Sequence, residues 1–531
     1  MKKLIIHNEY SRNGSFIQLC FPIETEVFIP VDDSVRLLDQ LLEELDYSML
    51  YRSYSSSGRS AAIQPKSLFK VLVYAYSQGI YSSRKIEQAC HLNLAYRYLL
   101  RHENKVPDHN TIARFRKERL SGCAEELLTQ LVMLLHNYEE INFENLFIDG
   151  TKIEANANKY TFVWKKAVLK NEEKMQIKLR TLLEQMSPKK DFPAFITTEM
   201  MEEALICLQE KIDLEGIVFV YGQGKRKTQL QRDYETLLEY MERQKKYDAY
   251  KNLFGKRNSF SKTDTDATFM RLKDDHMRNS QLKPAYNLQV AVESEYIVGI
   301  DISSHRSDMN TLIPFLEDLE KNYGRRYQNL ICDAGYESEE NYTYLDHKEI
   351  KPFIKPSNYE HSKTRKFQRQ MEFRQSMDYL PDQDAFRCKV GRLLRYQYSR
   401  KRVSASGFKS TSKVYKCESC DDCAYLGKCY RGKYSKQIQV AESFDRYRAR
   451  SLENVISEEG VLLRINRSIQ AEGAFGILKW NYGFQRFLTR GAVNVKIECL
   501  LLVLGFNINK LHHRIQNGRL GLALFPLKKA G

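Results

Sequence analysis

Two aspartates stand in matching contexts. Asp149 follows the apolar run Leu146-Phe147-Ile148 and precedes Gly150-Thr151, while Asp333 follows Leu330-Ile331-Cys332 and precedes Ala334-Gly335. If those runs are neighbouring strands, both carboxylates emerge at one sheet edge, where a hard divalent cation can bridge them. Mg²⁺, or Mn²⁺ in its place, takes such oxygen ligands and keeps positions open for water and phosphate oxygens. A third carboxylate is then needed, and Glu472 is the candidate. It lies in the stretch from Arg467 to Lys479, and on a helix it shares a face with Lys479, while Ile469, Phe475 and Leu478 help form an apolar face. Gly473 and Gly476 are poor helix formers, so their presence implies close packing against the sheet. A lone Asp at a strand end is usually a turn former or cap; three acids in this order carry a different meaning. Glu458, Glu459 and Glu498 are rival helical carboxylates without the Arg467 and Lys479 setting. His305 and Asp308 fall where a strand gives way to a helix, and Ser307 or Asp308 is read there as a helix cap.

The cysteines form a second constellation. Cys417, Cys420, Cys423 and Cys429 lie within 13 residues, with Cys388 nearby. Four thiolates suit a structural tetrahedral Zn²⁺; an iron–sulfur cluster uses the same ligand set, and unligated thiols are the third reading. Cys20, Cys90, Cys123, Cys207, Cys332 and Cys499 stand in apolar contexts and read as core residues. Nine Lys or Arg and no acid occur between Lys389 and Lys416, among them Arg400, Lys401 and Arg402. Tyr396, Tyr398 and Tyr415 are interleaved, a pattern that fits phosphate contacts with stacking on exposed bases; a solvated loop is the competing reading.

The elements that must position these groups can be read from periodicity. Residues 34–137 carry apolar positions at helical spacing, broken by the serine-rich stretch 53–60 and by Pro107-Asp108-His109-Asn110. Two basic helical segments, one carrying Arg84, Lys85, Arg97 and Arg101 and one carrying Arg114, Arg116, Lys117 and Arg119, read either as a DNA-binding helix-turn-helix or as a solvated bundle face. Strand-length runs begin after Asn142. A charged helical insertion fills 159–259, and alternation returns at 286–292 and 296–302 as a hairpin. A helix at 308–321, a strand at 330–332, a helix at 338–347 and a strand at 351–354 follow, giving an α/β alternation around a mixed sheet. The expected organisation is a helical DNA-binding region at 1–140, a core from 141–158, 260–358 and 455–515, a helical insertion at 159–259, and a basic Cys-rich insertion at 359–454.

Composition sets the outer limits. The chain has 531 residues, 83 Lys and Arg against 67 Asp and Glu, a formal charge of +16 and a pI near 9.1. That balance suits a folded protein with a polyanionic partner, and the length excludes a small disulfide-stapled scaffold. Leu4, Ile5 and Ile6 are too short a run for a signal-peptide core. The longest apolar run, Cys499 to Leu504 continuing to Ile508, reads as a buried helix. A soluble, intracellular protein is expected. Neither a Gly-x-x-x-x-Gly-Lys-Ser/Thr loop nor a Gly-x-Ser-x-Gly elbow is present, so no nucleotide cofactor is expected.

Taken together, Ile148-Asp149-Gly150-Thr151-Lys152, Asp333-Ala334-Gly335-Tyr336 and Glu472 with Lys479 resemble the three acidic motifs of DDE transposases with a ribonuclease H-like fold. With Thr265-Asp266-Ala267-Thr268, Lys283-Pro284-Ala285-Tyr286-Asn287 and Arg490-Gly491, the chain most resembles the IS1182 family of bacterial insertion sequences. The resemblance spans nearly the whole chain. It departs from related transposases at one point: the Tyr and Arg found seven and four residues before the Glu are Ile465 and Ser468 here, with Arg467 adjacent.

The resemblance implies a metal site at Asp149, Asp333 and Glu472 and DNA contacts from Arg467 and Lys479, beside those expected of Arg114, Arg116 and the 400–402 triplet. It also implies double-stranded DNA as substrate, in the form of terminal inverted repeats and target, a homodimer on DNA, and a cytoplasmic, nucleoid-associated location. Two cations roughly 3.5 to 4 Å apart can neutralise a phosphodiester, activate water or a 3′-hydroxyl and stabilise the departing oxyanion. A nuclease without strand joining and a non-catalytic DNA-binding derivative are the alternatives.

Overall fold

The structure is a computed structural model. It describes residues 28–526 apart from 55–60, 101–102, 104, 189–190, 223, 273–280, 371–372 and 433. Leu4, Ile5, Ile6, Cys20, Arg101 and most of the serine-rich loop lie outside the described residues.

A mixed sheet stands at the centre. Its main strands are β1 (Asn145–Glu154), β2 (Leu282–Glu293), β3 (Tyr296–Ser303), β4 (Asn329–Cys332) and β5 (Lys351–Ile354). They are ordered β3-β2-β1-β4-β5, and Thr268–Arg271 extends the β3 edge beside the first part of β2. β1, β2 and β3 run antiparallel in turn, whereas β4 and β5 run parallel to β1. This is the α/β, ribonuclease H-like mixed sheet behind a helical front end that the sequence leads one to expect. β1 does not end at Asp149. It continues to Glu154 because β2 pairs with it along its length, from Phe147 opposite Val292 to Glu154 opposite Ala285. The β2–β3 turn places Ser294 and Glu295 at φ 52° and 65°, the backbone of a type I′ turn without its usual glycine. Tertiary contacts hold it: Glu295 N–H donates to Gln470 Oε1 at 3.0 Å, and Lys510 pairs with the Glu295 carboxylate at 3.1 Å.

Helices connect the parallel strands. Leu312–Tyr323 leads into β4, and Glu339–His347, capped by Ser338 Oγ on Asn341 N–H at 3.0 Å, leads into β5. At the front end, Asp33 caps Ser34–Glu43, Pro65 opens Pro65–Ser77, and Asp108 caps His109–Arg114 through Thr111 N–H at 2.7 Å. These helices share one apolar core with the sheet, from Val35 through Phe147 and Leu330 to Leu511. The element common to both is the last helix, Ala492–Gln516, which touches Pro65–Ser77, Ala124–Asn137 and β3. A Cβ at Gly505 would lie 2.9 Å from Ser77 N, so glycine permits that crossing. By length and composition this helix is apolar enough to cross a bilayer, yet 72% of its apolar window is buried within the fold. A core helix is what the run from Cys499 to Ile508 suggested.

Residues 159–259 form three long helices, Lys165–Met186, Thr198–Leu214 and Gln229–Phe254, with a small apolar core around Leu179, Leu205 and Leu237. The basic Cys-rich stretch holds more order than its composition suggests. It contains a five-stranded antiparallel sheet whose longest pair, Leu393–Val403 and Lys409–Cys417, forms an exposed ribbon.

Candidate functional site

Parallel pairing of Ile148 with Cys332 sets Asp149 and Asp333 side by side at the point where β4 ends. Asp149 Oδ1 accepts Gly150 N–H at 2.8 Å, and Asp333 Oδ1 accepts Gly335 N–H at 2.7 Å. Each carboxylate is thereby fixed by its own backbone. Glu472 arrives from the helical segment that begins with Glu458–Arg467. That helix widens into a π turn over Ser468–Glu472. Such turns shift the register by one residue and occur often at functional sites. Arg467, five residues before Glu472, therefore reaches the same face: its Nη2 donates to Glu472 Oε1 at 2.6 Å and its Nη1 to Asp149 Oδ2 at 3.2 Å. Ser468 Oγ donates to Glu472 Oε2 at 2.9 Å.

Two of the rival acids are engaged elsewhere. Glu498 is fully buried and accepts Leu488 N–H and Thr489 N–H at 3.1 and 2.6 Å, and Glu459 pairs with Lys351 at 2.7 Å. Asp264 accepts Tyr286 Oη at 2.8 Å and Gly491 N–H at 3.3 Å, and burial raises its carboxyl above the usual range. Several readings need correction. A Cβ on Gly473 or Gly476 would meet nothing within 4 Å, so these glycines face open space rather than a packed contact. Asp308 does not cap a helix; its Oδ1 accepts Asn287 Nδ2 at 2.7 Å and Gln289 Nε2 at 3.0 Å. Cys207 is exposed, whereas Cys90, Cys123, Cys332 and Cys499 are buried.

Around the acids the electrostatics are mixed. The Tyr336 hydroxyl is held far above its ordinary range by burial, then by Asp308, Cys332, Asp149 and Asp333, and it donates to Gln289 Oε1. Burial likewise raises the Cys332 thiol, reinforced by Asp333. A cleft of about 560 Å³ opens beside Asp333, lined by Lys355, Arg464, Arg467 and Ser468. Arg464 Nε is buried without a partner among the described residues. Carboxylate oxygens are the donor set on offer, which fits Mg²⁺ or Mn²⁺. Among the described residues no three His, Cys, Asp or Glu side chains already enclose a point as a bound ion requires. The Arg467 guanidinium bridges Asp149 and Glu472. Arg467→Gln is expected to lower the metal-free melting temperature by leaving those two carboxylates facing each other, with recovery on adding Mn²⁺; differential scanning calorimetry with and without the ion reads both.

Of the other expected contact residues, Arg114 is exposed and Lys479 half-buried. Arg116 is 7% exposed and donates to Tyr76 Oη and Tyr81 O, both at 3.0 Å. It is a bundle residue, unavailable to phosphate. Arg400, Lys401 and Arg402 are exposed on the ribbon, as are Tyr396 and Tyr398. Tyr415 is buried and donates to Asp384 Oδ1 at 2.7 Å, so it does not stack on bases. At the ribbon's tip, Ser406 Oγ donates to Glu340 Oε2 at 2.7 Å, mooring it to the helix after Asp333.

Cys388, Cys417, Cys420, Cys423 and Cys429 all line one small cavity of about 30 Å³. The Cys417 thiol is pushed up to about 12 by burial, then by Cys420 and Cys388. Lys436 donates its backbone N–H to Cys420 Sγ and its Nζ to Cys429 Sγ, each at 3.3 Å.

Comparison with known families adds two matches. Residues 387–512 match the transposase DDE domain, and residues 23–118 match the transposase domain of DUF772. Both matched models describe transposase domains. The DDE segment contains Glu472, Arg467, Lys479, the ribbon and all five clustered cysteines; Asp149 and Asp333 lie outside it, beside each other on the sheet, and Arg467 links Asp149 to Glu472. The DUF772 segment covers most of the helical front end. No curated protein and no solved structure matches the chain.

Proposed function

We propose that the protein is a DNA transposase of the IS1182 type that cleaves the ends of an insertion sequence and joins them to target DNA. The observation that supports this reading is that strand pairing sets Asp149 beside Asp333 while Arg467 bridges Asp149 and Glu472, in a chain with two segments that match transposase-domain models. Asp149, Asp333 and Glu472 would hold Mg²⁺ or Mn²⁺, which supplies charge neutralisation at the phosphate and activation of the attacking oxygen. Arg467 orients two of the three carboxylates, while Lys355 and Arg464 line the cleft that would take the phosphate backbone. The exposed ribbon, with Arg400, Lys401 and Arg402, tracks the duplex, and Arg114 and Lys479 add contacts. Two bound ends imply a homodimer on DNA, in the bacterial cytoplasm at the nucleoid. Incubating the protein with DNA bearing the inverted-repeat ends and Mg²⁺, Mn²⁺ or Ca²⁺, and scoring cleavage and strand-transfer products, tests the reading. Cleavage with no joined product would favour a nuclease; no cleavage would favour a binding protein.

The ribbon makes a separate expectation. Replacing Arg400, Lys401 and Arg402 together by Ala should weaken DNA binding across sequences and reduce the salt slope of log K by about 2 to 3, measured by fluorescence anisotropy between low and physiological salt.

The cysteine module is read as a structural Zn²⁺ site built from Cys417, Cys420, Cys423 and Cys429, with Cys388 as an alternate ligand; the five thiols on one cavity support it. Cys420→Ser is expected to lower zinc from about one ion per chain to near none by elemental analysis, and equal zinc in both proteins would refute the site.

A further inference from the structure

The ribbon of Leu393–Val403 and Lys409–Cys417 carries charge of two kinds. Near its base the cations are neutralised: Arg395 pairs with Glu418 and Lys413 with Glu442, each at 2.7 Å. Further out, Arg400, Lys401, Arg402 and Lys409 are exposed, and among the described residues none of the four pairs with a carboxylate. Strand register sorts them. After a bulge between Tyr396 and Tyr398, Tyr398 stands opposite Val414, Arg400 opposite Ser412 and Arg402 opposite Ser410, while Lys401 stands opposite Thr411 and Val403 opposite Lys409. Directly opposed residues share a face and successive residues alternate. One face therefore presents Tyr398, Arg400 and Arg402, and the other Lys401 and Lys409. The residues opposite the two arginines are serines, too short to cover the guanidiniums from the neighbouring strand. The tip is tied down at two points, by Ser406 Oγ on Glu340 Oε2 at 2.7 Å and by Lys256 Nζ on Ala405 O at 3.1 Å, which holds the arginine face in a set position.

A two-stranded ribbon fits the major groove of B-DNA, which is about 12 Å wide, and the planar Arg fork donates in pairs to guanine O6 and N7 there. An ammonium keeps the charge and loses the fork. We propose that the arginine face reads sequence: Arg400 and Arg402 enter the major groove and recognise guanine, whereas Lys401 and Lys409 add charge without selecting a base. The inference rests on the reading of the ribbon as a DNA contact and goes beyond it, from attraction for any duplex to discrimination among duplexes.

Methylation interference tests it, with the full-length protein and two duplexes, one carrying the insertion-sequence end and one unrelated. Dimethyl sulfate blocks guanine N7 in the major groove. The wild type is expected to reject end duplexes methylated at particular guanines. The charge-preserving double variant Arg400→Lys, Arg402→Lys should lose that interference at some of them, and its preference for the end over the unrelated duplex should fall about tenfold or more, with the salt slope unchanged. Lys401→Ala should weaken both duplexes equally. The same interfering guanines and the same preference in the double variant would overturn the reading of sequence by the ribbon and leave its contact with DNA standing. Binding of neither duplex by the wild type would overturn both.

Discussion

Asp149→Asn is expected to reduce cleavage of insertion-sequence ends by about 10³-fold or more, equivalent to roughly 4 kcal/mol of barrier, while leaving the fold intact. The substitution preserves shape and keeps an oxygen near Gly150 N–H. β1 remains held by backbone pairing to β2 and β4 on either side, so the variant should melt close to wild type. What changes is charge. Asp149 stands beside Asp333, through the Ile148–Cys332 pairing, and is linked to Glu472 through Arg467. Removing its charge takes away a shared ligand rather than a peripheral one. Single-turnover cleavage with circular dichroism on the same preparation separates the loss of chemistry from a loss of fold. Activity within tenfold of wild type would be incompatible with the site.

Arg514→Leu carries the largest expected effect on stability, about 3 to 5 kcal/mol. Arg514 is 1% exposed, and its Nη1 pairs at 2.6 Å with Glu140, itself 2% exposed. Glu140 also accepts the Tyr296 hydroxyl at 2.9 Å and Gly521 N–H at 2.7 Å, and Arg514 Nη2 reaches Glu295 at the β2–β3 turn. One guanidinium therefore joins the front-end bundle, the central sheet and the end of the last helix. Its removal strands a buried carboxylate without a cation, which is the costly way to break such a pair. Adding Glu140→Gln to Arg514→Leu should recover part of the loss. Urea unfolding of the three proteins measures it, and an unchanged midpoint in Arg514→Leu would show that the junction does not bear on stability.

The sheet was legible because its strands follow simple rules. Leu146-Phe147-Ile148 and Leu330-Ile331-Cys332 are short apolar runs ending in acids, as parallel neighbours buried on both faces should be. The DDE family match reaches only Glu472 among the three acids; strand register joins the two aspartates to each other, and Arg467 links Asp149 to Glu472. Asp308 was misread because its partners were hidden by an ordinary pattern. In Tyr286-Asn287-Leu288-Gln289-Val290, alternation looks like a strand with one wet face, yet Asn287 and Gln289 are buried. Two amides on a strand covered on both sides were the available signal, since buried amides must bond something.

Other differences have equally local causes. The Leu393–Val403 ribbon has no apolar periodicity because most of both faces is in solvent; backbone pairing to Lys409–Cys417 forms it, and periodicity cannot report that. Arg116 looked like its neighbours in a basic helix, but the π turn at Phe115–Arg119 directs it inward to Tyr76. The same kind of turn, at Ser468–Glu472, aligns Arg467 with Glu472. A one-residue change of helical register is invisible to a count of residues per turn, and it decides both placements.

The most direct measurement is anomalous diffraction from crystals of the protein bound to insertion-sequence-end DNA and soaked in Mn²⁺. The predicted result is an anomalous peak within coordination distance of Asp149, Asp333 and Glu472, with Arg467 withdrawn from at least one of them. Mn²⁺ bound elsewhere, with Arg467 still bridging Asp149 and Glu472 and the scissile phosphate remote from all three acids, would contradict the account.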